Sequence, residues 1–307
     1  MSLLTVSKRS DYIKLLSHLG ALVTMIAWGT SFLSTKVLMI EGGFTPVEMF
    51  VYRFAMAYLL LLMITFRKIL ANNWKDEFQF VICGMCAGTL YFVMENYALQ
   101  NTSTGNVSLL ASISPLFTTG LMALVYKARI GAGTISGSII AFAGVACIIF
   151  SSGEGFEINP KGDLLALCSS FSWAVYTVVV KRLNPIYSSL FITRKLFFYG
   201  VLTALPLLIF QNAPSHLGLL FNPDYPQFFL NFMFLVIMCS VVGYLIWSEI
   251  MKTLGPVTAN NYIYLQPLVT MVAAYFVLDE QIFLLGYIGC ALIIGGLVVA
   301  DKLKIGK

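Results

Sequence analysis

Two stretches read against each other decide the fold. Trp28-Gly-Thr-Ser-Phe-Leu-Ser-Thr-Lys36 and Trp173-Ala-Val-Tyr-Thr-Val-Val-Val-Lys181 share a Trp and a Lys at one spacing, 145 positions apart. Further along, Pro115-Leu-Phe-Thr and Pro267-Leu-Val-Thr match at an offset of 152, as do Gly137 with Gly289 and Gly144 with Gly296. The change of offset is what a loop insertion between elements gives. Single Gly, Pro and Trp matches are weak, but matches that keep their order along a chain mark an internal repeat.

The repeat sits in an apolar chain. Of 307 residues 59% are hydrophobic and 11% charged, with mean hydropathy +0.85. A soluble domain of this size carries about 25% charged residues, so there are too few charges here to cover a surface in water. Apolar runs between polar punctuation give ten candidate spans, roughly 17–38, 47–66, 78–100, 105–126, 132–152, 162–181, 188–210, 228–250, 256–278 and 283–300. Each has about the 20 residues a helix needs to cross a bilayer. The expected fold class is an all-α membrane protein of ten transmembrane helices in two inverted five-helix repeats, 15–152 and 158–303. Five spans per copy is an odd number, so the second copy must enter the membrane from the opposite side. The basic residues agree. With the N-terminus inside, the inner segments collect 14 of the 19 Lys and Arg residues, Arg67, Lys304 and Lys307 among them, and the outer segments only Lys161. Lys and Arg accumulate on the cytoplasmic side, which places both termini in the cytoplasm.

The same numbers exclude other classes. No stretch is left for a separate soluble catalytic or nucleic-acid domain, and the basic clusters lie between apolar runs, as membrane orientation requires, with no nucleic-acid footprint. Six cysteines lie in apolar runs; Cys83 and Cys86 are one helical turn apart but have no further Cys or His ligands nearby. His18 and His216 are the two histidines. No metal and no cofactor is expected, no hydrolase or nucleotide motif is found, and the first apolar run lacks the cleavage site of a signal peptide.

Polar and aromatic groups at spacings of three and four mark helix faces that could line a solute path. They select Thr24, Trp28, Ser31 and Thr35 in the first span, with Ser169, Trp173 and Tyr176 as mates in the sixth. Gly84, Gly88, Tyr91 and Glu95 align in the third span, and Ser240, Gly243 and Trp247 in the eighth. Ser112 shares a face with Pro115 in the fourth, and Asn260 and Tyr264 with Pro267 in the ninth. The expected cavity wall is therefore Trp28, Ser31, Tyr91, Ser112, Trp173, Tyr176, Trp247, Asn260 and Tyr264. Ser and Thr can equally bond their own helix backbone or a neighbouring helix. Pro115 and Pro267 fall near mid-span, where each removes a backbone donor, and are expected hinges. Arg53, Glu95, Arg194, Lys195 and Glu249 are charges that membrane helices bury at a cost. Their depths suggest two symmetric pairs, Arg53–Glu95 outside and Arg194 or Lys195–Glu249 inside, as gates or proton-coupling groups or as fixed bridges. The glycines of the fifth and tenth spans make smooth ridges for close packing, as scaffold or as a dimer face.

The residues also resemble a known family. Trp28-Gly-Thr-Ser-Phe, Arg53 within Tyr-Arg-Phe, Ala98-Leu-Gln leading to Ser114-Pro115-Leu-Phe-Thr, and Leu265-Gln-Pro-Leu-Val leading to Leu278-Asp-Glu280 are similar to EamA-type members of the drug/metabolite transporter superfamily, over 15–303. The fourth span departs from the pattern: it ends Tyr126-Lys-Ala-Arg129, so the family's acidic position survives only as Glu280. The resemblance implies a secondary transporter of the cell inner membrane, often an exporter of amino acids, other metabolites or drug-like compounds. Inverted repeats are the architecture of many alternating-access carriers. The expected partners are a small-molecule substrate, the lipid bilayer and protons as coupling ion, with no nucleic acid, the chain acting as monomer or homodimer. Two other classes compete. A lipid-active membrane enzyme would need a nucleophile–base pair or paired carboxylates, and the deep spans offer only Glu95 and Glu249 on opposite sides. A scaffold or channel is the other; a channel would be expected to show a selective ring or filter.

Overall fold

A computed structural model describes residues 3–66, 68–99, 101–102, 104–151, 159–211, 214–278 and 283–302. Arg67, Gln100, Asp279, Glu280, Lys304 and Lys307 lie outside the described residues. Among those described, nine helices are long and apolar enough to cross a membrane: Asp11–Glu41, Pro46–Thr65, Trp74–Ala98, Val107–Tyr126, Ala132–Ser151, Pro160–Leu183, Ser189–Phe210, Pro226–Thr253 and Leu284–Lys302. The ninth expected span is a broken helix, Pro256–Asn261, a 3-10 turn Tyr262–Tyr264 and Leu265–Leu278, which completes ten.

Local chemistry sets the span ends. Thr45 caps the second span, its side chain accepting from the Glu48 amide while Glu48 returns a bond to the Thr45 amide, and Pro46 opens the helix. This reciprocal box satisfies two of the orphan donors of a helix N-terminus. Asn73, Asn159 and Ser188 cap the third, sixth and seventh spans, each side chain accepting from the amide three residues on. Lys127, left-handed at φ 50°, stops the fourth span, and Gly255 at φ 84° turns the chain into Pro256. Exposed apolar side chains such as Leu59, Met63, Phe210, Leu230 and Ile294 would be a liability in water. Here they belong against hydrocarbon.

The two halves are threaded in opposite senses. Thr45, at the start of the second span, bonds Gln211 at the end of the seventh, whereas Thr65, at the end of the second, is met by Arg194 near the start of the seventh. These repeat mates therefore run antiparallel, and Phe54 and Phe197 meet edge to face between them at 4.8 Å. The fifth and tenth spans are antiparallel as well. A Cβ on Gly137 would sit 2.4 Å from the Ala300 amide nitrogen, and one on Gly289 2.6 Å from the Gly144 carbonyl oxygen. The glycine ridges of these two spans thus pack on each other within the chain.

The third, fourth, eighth and ninth spans are irregular at related positions. The third and eighth widen into π-helix at Met85–Leu90 and Leu235–Val242, and the offset of 152 carries the first into the second. The fourth span breaks at 112–113, before Pro115, and the ninth turns through 3-10 geometry just before Pro267. Non-helical backbone at membrane depth is tolerated only where protein or a cavity covers it, so these four spans face inward.

Candidate functional site

Where the spans cross, aromatic rings from both repeats meet. Trp28 of the first span lies edge to face with Trp173 of the sixth at 5.9 Å, and 5.3 Å from both Tyr244 and Trp247 of the eighth. Trp173 continues to Tyr91 at 5.5 Å and Tyr176 at 5.2 Å. Five of the nine expected wall residues, Trp28, Tyr91, Trp173, Tyr176 and Trp247, thus form one cluster. Asn260 joins through its side-chain oxygen, which accepts from Trp173 Nε1 at 2.9 Å, while its amide nitrogen donates to the Pro256 carbonyl. Such edge-on and tilted contacts are favoured by ring quadrupoles.

The irregular backbone is satisfied from the first span of each repeat. Trp28 Nε1 donates to the Cys239 carbonyl at 2.8 Å, and Ser172 Oγ to the Cys86 carbonyl at 2.7 Å. Both acceptors lie in the π segments, where the wider turn frees carbonyls from the ladder. Gly243 makes room for the indole: a Cβ there would be 2.8 Å from Trp28 Nε1.

The remaining wall residues are placed differently. Ser31 bonds its own helix at the Trp28 carbonyl and Ser112 at the Ser108 carbonyl, the backbone alternative recognised for membrane Ser and Thr. Tyr264 is fully buried in the 3-10 turn of the ninth span. Tyr244 was not singled out from sequence, although the offset of 152 pairs it with Phe92, another ring. The expected cavity is closed in this conformation. Trp28 is 8% exposed, Trp173 5%, Tyr176 2% and Trp247 0%, because the rings themselves fill the space between the halves.

The expected ion pairs are not formed. Arg53 Nε donates to Ser240 Oγ at 2.6 Å, and its guanidinium lies over the Phe54 ring. Glu95 instead accepts from the Tyr91 hydroxyl at 2.9 Å. Arg194 donates to the carbonyls of Thr65 and Lys68, a cation capping the helix C-terminus where orphan carbonyls collect. Glu249 is largely exposed, accepting from Ser189 and lying 3.7 Å from Lys252. Sequence position gives only a side chain's height in the membrane. The actual partners were chosen by which helices touch.

Other residues close the two ends. At one end the buried Glu48 accepts from the His216 backbone and ring at 3.0 Å each, and Tyr52 bonds Ser215 at 2.9 Å. The connection between the seventh and eighth spans is thereby latched to the second. At the other end Lys195 pairs with the buried Glu77, which also accepts from Tyr199. Asp76 accepts from Tyr187 at 2.7 Å. Burial, with Asp76 and Glu77 close by, pushes the Tyr187 phenol up, so it stays a donor at neutral pH. An opening of about 280 Å³ lies at this end, lined by Thr65, Lys68, Tyr187, Ser188 and Phe191 among others. Sequence reasoning missed Glu48, Asp76 and Glu77, yet the Thr45-Pro-Val-Glu48 box and Asn73 three residues before Asp76 were readable cap signals.

The model of the EamA-like transporter family matches residues 15–150 and again 160–300. The chain belongs to the EamA-like transporter family. Similar relatives include an uncharacterized transporter of Archaeoglobus fulgidus, 28% identical over 86% of this chain and 90% of that protein. A probable terminal-alkyne amino-acid exporter of Streptantibioticus cattleyicolor is 26% identical over 76% of each. A probable amino-acid metabolite efflux pump of Escherichia coli is 24% identical over 91% of this chain and 92% of that protein. A solved crystal structure superposes with a TM-score of 0.76 at 19% identity, covering 94% of this chain and 96% of that one, which shows the fold. An EamA-like chain with these helices is a multi-pass membrane protein of a transporter family.

Proposed function

We propose that this EamA-like chain is a secondary active exporter of a small organic metabolite such as an amino acid, working by alternating access between its halves, 15–152 and 158–303. The observation that carries the reading is the ring cluster of Trp28, Tyr91, Trp173, Tyr176, Tyr244 and Trp247. It joins both repeats at mid-membrane, where the spans are irregular and each end of the molecule is held by its own polar contacts. In this reading the rings part to admit the solute. Pro115 and Pro267, at the two helix breaks, are the hinges, and Ser31, Ser112, Asn260 and Tyr264 line the path once it opens. Arg53 and Glu95 are the charges nearest the cluster, with Glu95 the proton-coupling group. Arg194 holds the Lys68 end closed and Glu249 sits at its rim. The protein resides in the inner membrane with both termini in the cytoplasm, in keeping with its Lys and Arg distribution. The names of two relatives, a probable terminal-alkyne amino-acid exporter and a probable amino-acid metabolite efflux pump, favour this substrate class.

Flux in proteoliposomes tests the reading. Trp28→Ala and Trp173→Ala are each expected to lower protein-dependent metabolite flux about tenfold or more, equivalent to about 1.4 kcal/mol or more. Unchanged flux in both variants would remove the ring cluster from the pathway. An imposed pH gradient is expected to accelerate flux through the intact protein and through Glu249→Gln, but not through Glu95→Gln. Acceleration that survives Glu95→Gln would end the proton assignment.

A further inference from the structure

Arg53 is a charge without a counter-charge. It lies in the second span at 9% exposure, and no carboxylate among the described residues pairs with it. Its Nε is fixed on Ser240 Oγ, while its two terminal nitrogens have no acceptor among the described residues. The ionisable side chains that bear on it are the Cys239 thiol and the Tyr244 phenol, groups that are ordinarily neutral at pH 7. A buried cation normally needs a hydrogen-bonded anion to offset its lost hydration. Arg194, by contrast, places both terminal nitrogens on carbonyls at the end of the second span, while Glu48 has His216 and Glu77 has Lys195.

The place of Arg53 supplies the context. Ser240 follows Cys239, whose carbonyl takes the Trp28 indole proton, so the guanidinium lies beside the aromatic layer. A second donor in that layer is also idle: Trp247 Nε1 is fully buried and has no hydrogen-bond partner among the described residues. Trp247 is seven residues from Ser240, two turns along the same helix and about 10 Å away at 1.5 Å per residue. A guanidinium whose terminal nitrogens have no acceptor among the described residues and a buried indole N–H left unsatisfied, with rings between them, describe the complement of an anion carrying an apolar body. A guanidinium presents parallel N–H groups that match a carboxylate. One positive charge offsets one negative charge, which favours a carboxylate over a phosphate dianion.

We propose that Arg53 is the substrate-binding residue of this transporter and that the solute carries a carboxylate, held by the Arg53 terminal nitrogens with its organic body among the Trp28, Tyr244 and Trp247 rings. This rests on the transport reading above and narrows it. The carboxylate is the counter-ion that the described residues do not supply, so an empty carrier retains a desolvation cost that binding relieves.

The test uses purified full-length protein and three matched probes: L-phenylalanine, 3-phenylpropionate, which keeps only the carboxylate, and 2-phenylethylamine, which keeps only the amine. Thermal stabilisation in detergent reads binding, and flux in proteoliposomes reads transport. The two acids are expected to raise the melting temperature of the intact protein and to be transported, the amine to do neither. Arg53→Gln should abolish the acid-dependent shift. Arg53→Lys keeps the charge but not the fork, and should weaken binding about tenfold; it also controls for a fold that fails when the charge is lost. Equal stabilisation by the amine, or acid binding that survives Arg53→Gln, would overturn the proposal while leaving a carrier of another solute. Absence of both stabilisation and flux with all three probes would overturn the proposal together with the transport reading for amino-acid-like solutes.

Discussion

Replacing Lys195 by methionine is expected to destabilise the folded protein by about 3–5 kcal/mol, the range for breaking a buried ion pair from one side. Lys195 and Glu77 are both nearly inaccessible, at 5% and 7% side-chain exposure. Glu77 also accepts from Tyr199 and from the Ala71 amide. Removing the ammonium leaves that carboxylate buried with neutral donors only. The double variant Lys195→Met/Glu77→Gln removes both charges and should recover more than half of the loss, since neutral groups of similar size fill the site without an unpaired charge. Monodispersity after heating, followed by size-exclusion chromatography of the detergent-purified protein, measures both. A single variant as stable as the parent would mean that Glu77 is hydrated or protonated and that this end is not held by the pair.

The second large effect is expected at the glycine ridge. Gly137→Leu places a four-carbon side chain where even a Cβ would sit 2.4 Å from the Ala300 amide nitrogen and 2.5 Å from the Gly296 carbonyl oxygen. Both obstacles are backbone, so no rotamer can clear them and the fifth and tenth spans must separate. Overpacking of a tight contact costs about 1–3 kcal/mol and sometimes more, and close backbone approach is what small residues contribute to helix packing in lipid. The expected result is a large loss of monodisperse protein. Gly120→Leu, at a position where an added Cβ meets nothing within 4 Å, should be tolerated. Equal yields from the two variants would show that the ridge is not a packing seam.

Much of the fold was legible because a bilayer leaves few choices. An apolar run of about 20 residues must satisfy its backbone internally and becomes a helix. The runs read from sequence accordingly agree with the spans in the structure to within several residues. The first span was the main exception: helix extends back to Leu3, well before position 17, where the apolar run was read to begin. The ring cluster was half legible. Trp28 and Trp173 stood out as repeat mates on inward stripes, and the structure brings them to 5.9 Å. Tyr244 did not stand out, since one Tyr in an apolar run carries no periodic signal of its own.

Partner choice was not legible. Arg53 and Glu95 share a depth and opposite sign, which made a pair plausible in one dimension. In three dimensions Arg53 meets the eighth span at Ser240, and Glu95 bonds Tyr91 four residues back on its own helix. Asp76 and Glu77 fell outside the span as read from hydropathy, because a polar first turn reads as loop until its cap is recognised. The amino-acid sequence by itself determined ten membrane-crossing segments, their duplication and, through the odd count of spans, their opposite threading. These follow from length, polarity and order, which are properties of a line. Which side chains meet at the centre, which charges find a charged partner and which meet only neutral groups were decided by the tertiary structure alone. In the ring cluster those contacts join residues as far as 219 positions apart, as Trp28 and Trp247 are, and depend on helix rotation, which hydropathy does not encode.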